Sequence, residues 1–519
     1  MQPEEKQQQP RPKPLDRDPE PPRKEVIQQV QGRVLDPATA VVVKGVNPRP
    51  TVYVGPRLLI SKSVDFDGAL EVLELVAQKL GWHVVPEEED PRTRGLKFGV
   101  RPVRIEVASD QAAIAPDGWT LLQQTRAQFG VKNVRGVGLE HVVFTDPFGG
   151  GHPFGGGHPF GGGHPFGGGH PFGGGHPADD YAVAGSGGRQ PIAYAGPAPC
   201  RNEVDGRRPV VAILDTGCGK HPWLDGIVTK DVDLDGHTIG FDHTVPDSET
   251  TGDLVGPLDG MIDPHAGHGT FIAGLVHQAC PDADILSWRI MPPDGPILEN
   301  DWITALAQIA ELVRRFRAGE PGGQAIDVLT MSIGYYHETP EDELFDPTLY
   351  AILEDLSANG CLVVCSAGND GTSRPSFPAA FAPWSDGAGP IPPSPDVLPV
   401  VSVGALNPNR RTDALFSNAG PWVRAHAEGA AVMSTMPVTF QGGLQATAAT
   451  KAFGRGRASL DPDDFTGGFA VWSGTSFSAP LLAGRLAERI RPHLQDGDTV
   501  DKARARALAA VHELTTIAP

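Results

Sequence analysis

Three short segments, far apart in the chain, each set one reactive side chain beside a rigid element, and a fold must bring them together. LDTG at residues 214–217 offers a carboxylate, GHGTFIAG at 267–274 an imidazole and SGTSFSAP at 473–480 a hydroxyl. VVAIL before Asp215 is a continuous apolar run of the kind found in strands buried on both faces, and Thr216 and Gly217 end it sharply. Glycines flank His268 and TFIAGLV follows, so His268 is expected at the start of a buried helix. FSAPLLAGRLAERI, residues 477–490, reads as a helix with Ser476 at its N-terminus, where free N–H groups and the positive dipole end favour developing negative charge. Pro480 is expected in that helix's first turn. An acid at the carboxyl end of a core strand is where open α/β sheets gather functional groups.

A serine hydroxyl is inert near neutral pH unless a base takes its proton and a third group orients the base. Ser476, His268 and Asp215 fit those roles, and the chain order acid, base, nucleophile differs from that of chymotrypsin-type and α/β-hydrolase enzymes. With its Asp, HGTxxAG and GTSxSAP blocks, the sequence resembles the subtilisin-like serine proteases, the subtilases. CLVVCSAGND at 361–370 resembles the strand and turn whose Asn completes that family's oxyanion hole, which implies this role for Asn369. DVLTMSIG at 327–334 resembles the strand that pairs with extended substrate, which implies Ser332, Ile333 and Gly334 as a binding edge by β-augmentation. FPAAF, VVSVGAL and FSNAG extend the likeness over about residues 205–490. The resemblance implies an α/β catalytic domain with a parallel sheet flanked by helices, and a serine endopeptidase working through an acyl-enzyme. A transpeptidase or macrocyclase that resolves the acyl-enzyme with an amine, and a silent peptide-binding module, are the other readings. His265 lacks the flanking glycines and is read as a loop histidine, and His221 as structural. Arg374, in the short loop 369–377 that in the family borders the pocket for the residue before the cut, leaves specificity open.

Ahead of this region, TVYVGPRLLIS, FDGALEVLELVAQKLG, HVVP, LKFGVRPVRIEVA, WTLLQQTRAQFG and VGLEHVVF read in order as βαββαβ. That is a ferredoxin-like α+β pattern, and the N-terminal propeptides of subtilases have the same arrangement. The expected division is a disordered Pro-rich tail over 1–32, a propeptide-like domain over 33–145, a Gly/His-rich linker over 146–190 and the catalytic domain over 191–519. PFGGGH occurs five times from residue 147 to 176 and has no means of building a core. As a tether its roughly 30 residues would span on the order of 30 Å. Its histidines, at 152, 158, 164, 170 and 176, fix no coordination geometry, so they are read as linker and no metal ligand is assigned. No cofactor is required for the chemistry; structural calcium, common in the family, stays unassigned.

The net charge of −20 argues against nucleic acid or an anionic membrane as partner, while the resemblance to subtilases and their propeptides implies a protein or peptide substrate and an intramolecular contact between the two domains. The first 24 residues hold no apolar core that a translocon could read, so a cytoplasmic location is expected, with unconventional export open. Five cysteines, an odd number, agree with a reducing compartment. Cys361 and Cys365 lie about 13 Å apart along one strand, too far to bridge. Cys218, three residues past Asp215, is read as packing rather than as a reactive thiol.

Overall fold

The computed structural model describes residues 16–22, 24–109, 112–145, 181, 184–256, 258–293, 295–339, 347–392, 394–495 and 497–518. The PFGGGH repeats, and the tether expected of them, lie outside these residues.

The catalytic region is built on a seven-stranded parallel sheet. Its spatial order is Ala425–Glu428, Val401–Leu406, Leu362–Ser366, Val328–Met331, Val210–Asp215, Asp284–Arg289, Val228–Lys230. Apolar side chains on both faces of the central strands explain the near-continuous Val, Ile and Leu runs. Ala212 and Leu214 join one core with the helices Glu299–Ala318 and Pro347–Ala358. Val211 and Ile213, pointing the other way, join a second core with the helices His268–Ala279 and Thr475–Ile490. From Val210–Asp215 the chain moves first to one side of the sheet and later returns to the other at Val328–Met331. This reversal creates the crevice in which α/β sheets hold ligands.

The N-terminal βαββαβ run folds into an antiparallel sheet in the order Val137–Val143, Val52–Ser61, Val100–Val107, Trp82–Pro86. Numbered along the chain this is 4-1-3-2, the ferredoxin-like order, and the helices Phe66–Ala77 and Gly118–Phe129 pack with it around Leu58, Leu73, Trp82 and Trp119. The sheet does not stop at its own domain. Ile297–Leu298 of the catalytic region pairs with Val142 and Val143, and Phe144 and Gly334 exchange both backbone hydrogen bonds, at 3.0 and 2.8 Å.

Two expected boundaries move. The tail does not extend to residue 32, because Lys24–Gln29 is helical and Gly32–Val34 pairs with Val52–Val54; Ile27 and Val30 give this segment an apolar side that Val52, Val54 and Val142 cover. The linker does not run to 190 either, since Gln190–Pro191 pairs with Val471 and Ala470. Of the five cysteines, all free, only Cys200 is exposed. No helix among the described residues is long and apolar enough to cross a membrane.

Candidate active site

Asp215 ends its strand fully buried, and its Oδ1 accepts hydrogen bonds from the Thr216 N–H at 2.8 Å and the Thr216 hydroxyl at 3.2 Å. The same oxygen lies 2.7 Å from His268 Nδ1, so the carboxylate fixes the ring's orientation. His268 is the first residue of its helix. Gly267 before it has φ +86, a left-handed conformation that turns the chain abruptly into the helix. A Cβ on Gly269 would stand 2.0 Å from the Gly217 carbonyl oxygen, so only glycine lets this helix approach the acid's turn.

Ser476 is the second residue of the helix Thr475–Ile490. Phe477 beside it packs its ring 5.3 Å from that of His268, bringing the two helix heads together. Pro480 is therefore the sixth helical residue, not a first-turn residue. Having no N–H, it cannot donate to the Ser476 carbonyl four residues back, and the Ser332 hydroxyl takes its place at 2.9 Å. Ser332, just past the strand Val328–Met331, thus ties that strand to the Ser476 backbone. Asn369 Oδ1 accepts from the Thr475 N–H at 2.9 Å and from its hydroxyl at 3.0 Å. That anchoring fixes the orientation of the Asn369 amide. Ile333 is buried, and Gly334 pairs with Phe144, the residue just past the N-terminal domain's last strand, so the N-terminal domain takes one position of the predicted binding edge.

Sequence reasoning missed the groups that brace this centre. Glu249, fully buried, takes hydrogen bonds on Oε1 from the Thr216 hydroxyl at 2.5 Å and the Gly267 N–H at 3.0 Å, and on Oε2 from Thr270. Burial raises its pKa to about 7, with the Thr216 and Thr270 bonds opposing and the charge of Asp215 adding to the rise. Arg189, assigned to the linker by sequence, donates to the carbonyls of Ile262, Asp263, Pro264 and Ala266 and lies 5.0 Å over the Trp472 ring. Trp472 in turn meets His268 edge-on at 5.6 Å. Neither Glu249 nor Arg189 belongs to a local pattern, and no sequence signal marks them.

The other candidates behave as packing. His265, 6.3 Å from His268 ring to ring, is pushed down to about 4 by burial and then by the neighbouring imidazole. His221 accepts from the Trp223 N–H and is also held near 4 by burial. Burial pushes the Cys218 thiol up to about 12, so it is no nucleophile near neutral pH. Arg374 is buried, bonds the His337 carbonyl at 3.1 Å and pairs with Asp18 at 3.1 Å. Arg17 beside Asp18 donates to the Asp370 carbonyl, and its own carbonyl accepts from Thr372.

At the domain seam His141 stands between two buried carboxylates, its Nδ1 2.7 Å from Glu299 Oε2 and its Nε2 2.8 Å from Glu338 Oε2. Burial opposes a charge on this ring, but Glu299 and Glu338 outweigh it and raise its pKa to about 10.

Comparison with known proteins bears on the family. The chain is 27% identical over 301 residues to "Intracellular serine protease" of Paenibacillus polymyxa, covering 55% of this chain and 68% of that one. It is 26% identical over 299 residues to "Major intracellular serine protease" of Bacillus subtilis (strain 168), with 55% and 69% covered. Among solved structures, a cold adapted subtilisin-like serine proteinase aligns with 17% identity and a TM-score of 0.36 over 59% of this chain and 87% of that one. The model of the Subtilase family matches residues 206–509, more than half of the chain, and the protein belongs to that family of serine proteases.

Proposed function

We propose that this subtilase is an endopeptidase whose chemistry runs through Asp215, His268, Ser476 and Asn369, and whose N-terminal domain restrains it. His268 takes the Ser476 proton as the hydroxyl attacks a peptide carbonyl, and Asp215 steadies the cationic ring. The Asn369 amide and the Ser476 N–H meet the oxyanion. His268 then returns the proton to the leaving amine, and water releases the acyl-enzyme.

The single observation that carries the catalytic reading is the 2.7 Å bond from Asp215 to a histidine packed against the residue after Ser476. Support for restraint comes from Phe144, whose backbone uses the hydrogen-bonding groups of Gly334 that an extended substrate would need. The substrate is a protein or peptide, and a cytoplasmic site of action accords with the names of the two bacterial relatives.

The test is the intact mass of wild type and of Ser476→Ala, before and after a fluorophosphonate probe. An adduct on wild type alone, formed faster once residues 1–145 are removed by a site-specific protease, is expected. An equal adduct on Ser476→Ala would refute the nucleophile, and an unchanged rate after removal would refute the restraint.

A further inference from the structure

The seam between the two domains holds a cluster that the catalytic reading does not use. His141 comes from the last strand of the N-terminal domain, while His337 and Glu338 follow the Gly334 edge. All three are buried, with relative exposures of 1–2%. One donor atom from each lies within 4.8 Å of the others. We propose that His141, His337 and Glu338 bind one divalent transition-metal ion of zinc type, which pins the N-terminal domain to the catalytic domain.

Two imidazoles and a carboxylate suit zinc better than a hard cation such as calcium or magnesium, which prefers oxygen. Four-coordinate zinc with bonds of about 2.0–2.1 Å keeps its N and O donors roughly 3.3 Å apart. His337 Nδ1 and Glu338 Oε2 are already 3.5 Å apart, and His141 Nε2 and Glu338 Oε2, at 2.8 Å, would have to open by about half an ångström.

The surroundings are those of a metal ligand too. Zinc-bound histidines characteristically donate their other ring N–H to a carboxylate, which fixes the tautomer. His141 Nδ1 faces Glu299 Oε2 at 2.7 Å, and the same oxygen accepts the His141 backbone N–H at 3.0 Å, locking both ring and strand. His337 Nδ1 accepts the Thr339 N–H at 3.0 Å, so it carries a lone pair there and not a proton. On binding, the ion would displace that N–H and the proton that His141 shares with Glu338. Glu299 and Glu338 would balance the ion's two charges. With one ligand from the N-terminal domain and two from the catalytic domain, the ion can be fully held only while the domains are docked.

This inference rests on the docked domains and not on the catalytic assignment, so the two fail separately. The test uses the full chain carrying Ser476→Ala, with the five repeat histidines at 152, 158, 164, 170 and 176 changed to Asn so that they cannot compete. The metal-free protein is titrated with Zn²⁺ by calorimetry and with Co²⁺ by visible absorption. One equivalent is expected, with a tetrahedral Co²⁺ spectrum. His337→Gln and Glu338→Gln should each weaken it at least 100-fold, and Glu299→Gln, whose residue hydrogen-bonds the His141 ring rather than the ion, about 10–100-fold. Near-UV circular dichroism identifies folded variants, and Glu299→Gln keeps the test valid if His337→Gln fails to fold. No bound equivalent in the parent, or unchanged affinity in the folded variants, would overturn the proposal and leave His141 as a protonated clamp.

Discussion

Ser332→Ala should weaken the helix that carries Ser476, but only while residue 480 is proline. The Ser332 hydroxyl donates to the Ser476 carbonyl, which is buried and has lost its usual helical donor to Pro480. Removing the hydroxyl leaves that acceptor without this partner, at a cost of about 1–3 kcal/mol. In Pro480→Ala the N–H four residues on becomes available for the helical bond, so Ser332→Ala should then cost less than about 1 kcal/mol, as for an ordinary exchangeable hydrogen bond. The two substitutions should therefore couple by about 1–2 kcal/mol. Urea unfolding of the two single variants and the double, all on Ser476→Ala to prevent autolysis, gives the cycle directly, provided the m-values agree. Additivity to within about 0.5 kcal/mol would show that the Ser332 hydroxyl does not stand in for the proline's missing donor.

Other consequences are separable. Ser476→Ala should lower kcat by on the order of 10⁶ and Asn369→Ala by only about 10²–10³; equal losses in steady-state peptide hydrolysis would contradict the oxyanion role. Glu249 keeps its proton to about pH 7 in the fold but loses it near 4.5 when unfolded. The native state then binds more protons between those values, so stability falls as pH rises from 4.5 to 7, by about 3 kcal/mol from this group. Several buried histidines titrate in the opposite sense below about pH 6.5, so the quantity to compare is the wild-type pH slope minus that of Glu249→Gln; identical slopes would exclude the assignment. Phe144→Pro deletes the N–H given to Gly334 and should hasten probe labelling of Ser476 several-fold, and no acceleration would mean that this strand does not gate the cleft.

How much could be read beforehand depended on whether the information was local. The strand before Asp215, the glycines around His268 and the helix after Ser476 are written in adjacent residues, and the structure brings those three segments to one crevice. Pro480 shows the limit of local reasoning: its first-turn placement followed from proline's rarity inside helices, whereas the structure puts it deeper and repairs the lost bond from residue 332. Glu249, Arg189 and Glu299 act across 18 to 158 positions of sequence, distances at which no periodicity or motif speaks. Arg374 left specificity open because its loop borders the expected pocket, and what it pairs with was not legible, since Asp18 meets it from near the chain's start.

The lone exposed thiol has a practical use. Cys200 precedes Arg201, which pairs with Asp284 at the amino end of its strand, while Arg289 at the other end of that strand lies beside Asp215. The length of the strand, roughly 17 Å, therefore separates this corner from the chemistry. The other four cysteines are buried, so a maleimide dye should mark one known place, on the far rim of the sheet. A second dye on the N-terminal domain would turn undocking into a loss of energy transfer, visible in real time and with the crevice unmodified.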